Sequence, residues 1–287
     1  MRKILFFIAL CIFMTAPLYA AQSTIKMAEG SACMGDDKSR KQTETAAMAD
    51  AKRNAVESVK TYVSSATEVK DFELQKDLVS AYANATVSVI ETLEKAWYKD
   101  PAQGDCYKIK LKAEVIPDEK AMKKANEKAS DAVLDDPSLP LAVKVWTDKA
   151  TYRDGEKIKI YLKGNKPFFA RVIYRDTAKN NLQLLPNPYR QDNYFQGGVI
   201  YEIPSGNDKF ELEVNPPFGD ESIIVYASVS ELGDLNLKEE GSVFAVKTKT
   251  KDIGIKTRSI KVKAAVKGKA EQPAEFSEGA VVVKTKK

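Results

Sequence analysis

The chain has 287 residues, a formal net charge of +5 and no histidine. Without histidine it lacks the commonest general base and the Ser-His-Asp and Cys-His arrangements of hydrolases, and it has neither a Gly-rich phosphate loop nor a Gly-x-Ser-x-Gly elbow. We therefore expect a protein that is not an enzyme and that needs no cofactor.

Residues 1–20 predict a signal peptide. Two basic residues precede an apolar run at 4–14, and small residues around Ala20 offer a cleavage site. The run is shorter than the roughly 20 residues of a membrane-spanning helix. Leu10 before Cys11 does not suit a lipoprotein site, which requires a small residue there. We expect an exported protein, periplasmic or associated with the outer membrane, with no transmembrane segment in the mature chain.

Residues 21–117 predict an α+β domain. A strand near Ile25 is followed by a helix that Asp37 or Ser39 can cap. The helix is indicated by small and apolar residues at helical spacing, which are Met48, Ala51, Ala55, Val59 and Tyr62. Because small side chains allow close approach, we expect this helix to lie directly on a sheet. The remaining predicted elements are a short strand at 67–72, a helix at 74–82 and a β-hairpin at 87–115.

Two cysteines remain after cleavage, Cys33 and Cys106. Pairing is the default in an oxidising compartment, so we expect one disulfide. Its loop of about 70 residues would stabilise the fold by roughly 4 kcal/mol. Cys106 has the same strand phase as Lys108 and Lys110, which puts the bridge on the open face of the hairpin. A metal site is a poor alternative, because two thiols without histidine do not form a typical zinc site.

Three segments of this region carry a resemblance to known proteins. They are Ala-Glu-Gly-Ser-Ala at 28–32, the helical sequence at 47–57, and Tyr-Lys-Ile-Lys-Leu-Lys-Ala-Glu-Val at 107–115. On them, residues 25–117 resemble the N-terminal domain shared by flagellar assembly protein T and small outer-membrane lipoproteins of the Lpp-twenty type. The resemblance implies envelope placement and, for some members, a role in assembly, and it brings no catalytic residues.

Residues 118–140 predict a helical linker. Asp118 can cap a helix whose apolar face is thin, and the proline-containing segment at 136–140 is the expected domain boundary.

Residues 141–250 predict an all-β, Ig-like sandwich, so the expected architecture is an α+β domain followed by that sandwich. Short apolar strands are separated by turn signals such as Gly155 and Gly164. The strands are expected at 141–146, 158–162, 168–174, 181–185, 201–204, 210–214 and 223–227.

The loop from Pro186 to Tyr201 is the candidate binding surface. Pro186 and Pro188 restrict the backbone, so the loop leaves its strand in a defined direction. The residues expected on the surface are Asn187, Tyr189, Arg190, Gln191, Asn193, Tyr194 and Tyr201. In the structural alternative, the tyrosines close the mouth of the sandwich and Arg190 pairs with an acid beneath them.

Short motifs in this half carry a second resemblance. They are Tyr-Arg-Asp-Gly-Glu at 152–156, Leu-Leu-Pro-Asn-Pro at 184–188, Ile-Pro at 203–204, and Pro-Phe-Gly-Asp-Glu at 217–221, which leads into Tyr-Ala-Ser at 226–228. On them, residues 143–246 resemble the bacterial domain-of-unknown-function family 4384. The resemblance implies an Ig-like sandwich that often stands beside other envelope modules, with no established activity.

Residues 251–287 predict a basic, partly disordered tail. Residues 245–287 hold 12 basic and 4 acidic residues, whereas 21–244 hold 31 and 36. This asymmetry indicates either contact with an anionic surface such as lipid head groups or a solvated tail. An edge strand is expected at 260–266 and disorder at 267–279.

The leading hypothesis is a non-enzymatic envelope protein that presents the Pro186–Tyr201 loop to a protein partner, with no nucleic acid involved. A carbohydrate-binding module is the alternative, in which tyrosines stack on sugars while amides bind hydroxyl groups. A third class is a hydrolase that uses Asp192 and Glu202 as paired carboxylates.

Overall fold

The structure is a computed structural model that describes residues 18–66, 72–241, 243–258 and 274–287. Most of the predicted signal peptide, the strand expected at 67–72 except for its last residue, and the edge strand expected at 260–266 lie outside the described residues. Within the described chain, no helix combines the length and the hydropathy needed to cross a bilayer.

The first half of the chain contains three long strands and three helices. In chain order they are β1 (Leu18–Cys33), α1 (Arg40–Ala66), α2 (Phe72–Ala83), β2 (Thr86–Asp100), β3 (Gly104–Ile116) and α3 (Glu119–Ala129), followed by a 3-10 helix at Ser130–Asp135.

The second half is almost entirely strand. It contains β4 (Val143–Thr147), β5 (Thr151–Arg153), β6 (Ile160–Gly164), β7 (Phe168–Arg175), β8 (Asn181–Leu185), β9 (Tyr194–Phe195), β10 (Tyr201–Ile203), β11 (Asp220–Ser228), β12 (Leu237–Glu240), β13 (Val243–Val246), α4 (Thr250–Thr257) and β14 (Ala274–Lys286).

Among the described residues, one long sheet runs through both halves. Its order is β12-β13-β8-β7-β11-β14-β1-β3-β2, with β5 beside β14 and β9 beside β7. A second sheet has the order β10-β6-β4. The protein is therefore mostly β, with a helix on a small sheet at the N-terminal end followed by a curled antiparallel sheet.

The long helix lies on the N-terminal end of the sheet, as the alanine spacing predicts. Ser39 begins it with a reciprocal cap, in which the Gln42 amide donates to Ser39 Oγ and the Ser39 amide donates to Gln42 Oε1. Ala47 and Ala51 are fully buried against β1. A Cβ added to Gly30 would stand 2.2 Å from the Ala51 nitrogen, so only glycine allows this close approach.

Cys33 and Cys106 form a disulfide, which confirms the predicted pairing. The two residues are direct neighbours on β1 and β3. Cys106 shares its strand phase with Lys108 and Lys110, on the opposite side of β3 from the residues that α1 covers.

The segment predicted as a linker is packed into the core. Asp118 Oδ1 accepts the Ala121 amide at 2.8 Å, which confirms the predicted cap. However, Met122, Ala125 and Leu139 are buried in the same cluster as the apolar face of α1. The apolar face of α3 is thin in sequence, yet it fills a gap between α2 and the sheet.

The prediction of a solvated tail is wrong for residues 274–286. These residues form β14, which pairs with β1 on one side and β11 on the other. The strand looks polar because it carries Glu275, Ser277 and Glu278. Burial of the Glu275 carboxylate is nevertheless tolerated, because it has hydrogen-bonding and charged partners. It accepts hydrogen bonds from the Tyr62 hydroxyl and the Leu141 amide, both at 2.5 Å, and it pairs with Lys166 at 3.1 Å.

The second core lies between the small sheet and the C-terminal half of the long sheet. Its buried members include Ile160 and Leu162 from β6, Val172 from β7, and Ile223 and Val225 from β11. These strands match the predicted alternation. The candidate binding loop at 186–201 lies at one end of this two-layer region.

Candidate functional site

The candidate loop begins with a turn built by Asn187. The residue is buried, only 2% exposed. Its Nδ2 donates to the Leu184 carbonyl at 2.7 Å, and its Oδ1 accepts the amides of Tyr189 and Arg190 at 2.8 Å each. This corrects the expectation that Asn187 contributes to an exposed surface, because its amide group is used in shaping the turn.

Arg190 is held from below, as the structural alternative proposed. Its guanidinium pairs with Asp208 at 3.1 Å, and the Asp208 side chain is almost completely buried. It also lies 5.5 Å from the centre of the Phe195 ring. Arg190 therefore anchors the loop, which corrects its assignment to the contact surface.

Two further amides are directed into the framework of the protein. Gln191 Nε2 donates to the Asn187 carbonyl at 2.7 Å. Asn193 Nδ2 donates to the Ala170 carbonyl at 3.0 Å, and the Asn193 carbonyl accepts the Ala170 amide at 2.8 Å. The donor groups expected to meet a ligand are thus hydrogen-bonded to the backbone.

The loop has four aromatic residues, of which Phe195 is buried, Tyr201 is half-buried, and Tyr189 and Tyr194 are exposed. Strand β9 pairs with β7 and buries Phe195 against Phe168, with ring centres 5.3 Å apart. Tyr201 packs edge-on against Phe195 at 4.9 Å, and its hydroxyl accepts the Gln196 amide. Tyr194 rests on Phe169 at 5.0 Å. Tyr201 is half-buried, so it supports the loop more than it presents a surface.

The loop exposes large apolar and aromatic side chains beside the polar residues Gln191, Asp192 and Gln196. Tyr189 is 53% exposed, Tyr194 41%, Val199 44% and Ile200 58%. Sequence reasoning missed Val199 and Ile200. The signal was present, because two β-branched residues follow the glycine turn at 197–198, where Gly197 packs on the Lys166 backbone and the Gly198 amide donates to Gly164.

Large exposed apolar side chains elsewhere in the described chain lie on other elements. They are Met27, Leu93 and Tyr98 on β1 and β2, Ile255 on α4 and Val282 on β14. The loop thus holds four such residues within twelve positions. Concentrated exposure of this kind marks an interaction site more often than single exposed residues do.

The carboxylates considered for hydrolysis are engaged by separate partners. Asp192 Oδ1 accepts the Tyr194 amide at 3.1 Å. Glu202 pairs with Lys159 on the neighbouring strand. Within the described ranges no group of three or more His, Cys, Asp or Glu side chains is arranged to hold a metal ion.

Comparison with protein families identifies one match. Residues 151–231 match the model of the Domain of unknown function (DUF4384), which confirms the resemblance for this part of the chain. The match includes β5 to β11 and the whole candidate loop. No curated protein and no solved structure gives a significant match. The resemblance of residues 25–117 to flagellar assembly protein T stays a prediction.

Proposed function

We propose that this chain is a non-enzymatic, exported binding module of the cell envelope, and that it engages a protein partner through the loop at 186–201. The observation that carries the proposal is the exposure of Tyr189, Tyr194, Val199 and Ile200 on a loop whose backbone is fixed from within. A fixed loop loses little conformational entropy when it binds.

A protein partner is favoured over a carbohydrate by the chemistry of the exposed groups. Sugar recognition requires free hydrogen-bond donors and acceptors beside the aromatic rings. The side-chain amides of Asn187, Gln191 and Asn193 each donate a hydrogen bond to a backbone carbonyl of the protein. The large apolar side chains exposed on the loop are two tyrosines, Val199 and Ile200, and aromatic residues are enriched at the centre of protein interfaces.

Export is supported by the cysteine chemistry. The Cys33–Cys106 disulfide is compatible with an oxidising compartment, where such bonds persist. A periplasmic or outer-membrane-associated location agrees with this, as does the N-terminal sequence pattern. The resemblance of residues 25–117 to assembly domains of the envelope adds an assembly role to the proposal.

An Ig-like sandwich is our proposal for the fold class of the DUF4384 region. Its support is the second core, which is enclosed between the β10-β6-β4 sheet and strands β7, β8 and β11. In such sandwiches the loops at the two ends carry recognition.

Site-specific photocrosslinking tests the proposed surface. A photoreactive phenylalanine analogue at Tyr194 or at Ile200 should give the same adduct with one envelope protein. The matched control is Ile255, which is 60% exposed on α4 and should give no such adduct. Adducts of equal yield from Ile255 would contradict the assignment.

Protease treatment of the envelope fraction separates the two binding classes. If the partner is a protein, digestion before mixing should abolish capture by the wild-type chain. If capture survives digestion and is lost after glycosidase treatment, the carbohydrate alternative is correct and the protein proposal is not.

A further inference from the structure

A second site lies at the other end of the two-layer region, away from the loop at 186–201. Strand β7 meets that loop at its beginning, where Phe168 and Phe169 pair with β9. At the opposite end of β7, Tyr174 and Asp176 line a cavity of about 320 Å³. This volume is at the small end of the range for ligand pockets, about 300–1,000 Å³.

The walls of this cavity are apolar. They come from both sheets and from the segment at 211–217, and they include Ile160, Leu182, Leu184, Leu212, Val214 and Ile223. The charged groups of the lining are all carboxylates, namely Asp176, Glu211, Glu213 and Glu221, and no described lysine or arginine belongs to it. The cavity therefore combines an apolar interior with a negative potential.

Glu221 is the unusual member of this lining. It is only 2% exposed. Its Oε1 accepts a hydrogen bond from the Thr285 hydroxyl at 3.1 Å. The Tyr174 side chain lies beside the same carboxylate, and burial first and this carboxylate second raise the pKa of Tyr174, so its hydroxyl stays protonated at neutral pH.

Both partners of Glu221 are neutral hydroxyl groups. Buried carboxylates in proteins are ordinarily paired with a cation, because an uncompensated buried charge is costly. Glu275 illustrates the usual solution in this same chain, since Lys166 stands 3.1 Å from its carboxylate. No described lysine or arginine makes an ion pair with Glu221. Glu221 therefore lines an apolar cavity without a positive partner.

We propose that this cavity binds a small organic ammonium ion, with the ammonium group against Glu221 and Tyr174 and the apolar body against Leu184, Leu212 and Ile223. A bound cation would supply the positive partner that Glu221 lacks among the described residues. The apolar walls would bury the hydrocarbon part of the ligand. An anion is disfavoured by the same carboxylates. The site lies within the DUF4384 region apart from Val243, and it is separate from the proposed protein-binding loop.

Titration calorimetry of the full mature chain with three matched probes tests the site. 2-Phenylethylammonium should bind, its neutral analogue 2-phenylethanol should bind at least about tenfold more weakly, and 3-phenylpropanoate should not bind. Glu221→Gln keeps the shape of the side chain and removes its charge. This variant should weaken ammonium binding by about tenfold or more and leave binding of the alcohol unchanged.

The control substitution is Glu57→Gln, at an exposed residue of α1 that is paired with Lys60 and lies outside the cavity lining, and it should change ammonium binding less than about twofold. If Glu221→Gln fails to fold, Leu182→Trp tests the site instead. The larger side chain fills the cavity, and the substitution changes no charge. Loss of binding in that variant supports the site, and retained binding overturns it. Equal binding of ammonium and alcohol by the wild type, or unchanged ammonium binding by a folded Glu221→Gln, also overturns it.

Discussion

The two halves of the long sheet differ in how closely the space over their strands is packed. In the N-terminal half, α1 lies so close to β1 that Gly30 has no room for a Cβ atom. In the C-terminal half, the facing sheet leaves a cavity of about 320 Å³ at one end and an apolar loop at the other. The helix fills the space directly over β1, whereas the second sheet leaves a cavity at one end of the strands that it covers.

On the proposals made above, recognition belongs to one half of the molecule, while the other contributes mainly to stability. The N-terminal half contains the disulfide and the glycine–helix contact. The C-terminal half contains the match to DUF4384 and both proposed sites. Strand β14 belongs to both halves, because it lies between β1 and β11. The following predictions test whether the two roles are as separate as the geometry indicates.

The largest effect is expected from removing β14. A chain that stops at residue 273 exposes the edges of β1 and β11 and loses the Glu275 junction, so neither half should fold cooperatively. Typical domain stability is only about 5–15 kcal/mol, which this loss should exceed. Circular dichroism and thermal melting measure it, and Val282→Ser, at an exposed position of β14, is the control.

The domain boundary predicted at 136–140 is tested by expressing the two parts of the chain separately. If residues 21–140 or 141–250 melt cooperatively when expressed alone, the two halves are independent and β14 is only an addition to them. A truncated chain that retains one sharp thermal transition would also show that β14 is not needed for folding.

The second effect concerns the disulfide. Replacing Cys33 and Cys106 with serine should destabilise the fold by about 4 kcal/mol, because the reduced chain regains the freedom of a long loop. Denaturant unfolding measures the loss, and thiol titration of the unreduced wild type should find no free thiol. Ammonium binding by the folded fraction should be unchanged, whereas a changed affinity would show that the halves are coupled.

The third effect is smaller and local. Gly30→Ala should cost about 1–3 kcal/mol, because the added methyl group meets the α1 backbone. Gly206→Ala is the matched control, since a Cβ there meets nothing within 4 Å. A cost at Gly206 equal to that at Gly30 would contradict the assignment of close packing to the N-terminal half.

The smallest effect on stability is expected at the loop. Tyr189→Ser and Tyr194→Ser should each change the free energy of unfolding by about 0.5 kcal/mol or less, while partner capture falls sharply. Tyr201→Ser should cost more stability, because its ring is half-buried and packs against the fully buried Phe195, whereas Tyr194 is 41% exposed. If Tyr194→Ser unfolds easily and its folded fraction captures normally, the loop is structural.

Periodicity in the sequence predicts those parts of the fold that local patterns determine. The alanine spacing of α1 and the alternation of β6 and β7 follow from the burial of apolar faces, and the cysteine pairing follows from the presence of two cysteines in a chain predicted to be exported. Strand β14 escapes such reasoning, because Glu275 is made tolerable by Tyr62 and Lys166, which are distant in sequence. A polar strand of this kind is recognised only when its partners are known.

The candidate site shows the same limit of sequence-based prediction, here for residues that are closer together in the chain. Sequence composition directs attention to the loop, but it does not tell an outward amide from an inward one. Asn187 bonds to Leu184 within its own turn, whereas Asn193 bonds to the carbonyl of Ala170 on β7, which is distant in sequence. The role of Glu221 is equally hidden, because its isolation from cations depends on which strands surround it.

The position of β14 has a consequence for the order of folding. Ser23 in the first strand pairs with Phe276 in the last, so the centre of the sheet joins segments from opposite ends of the described chain. Such distant contacts form slowly, because the intervening loop must close first. During synthesis, β1 has no β14 to pair with until all other described strands have been made. An export machine that accepts only unfolded chains would therefore receive this one before its sheet could close.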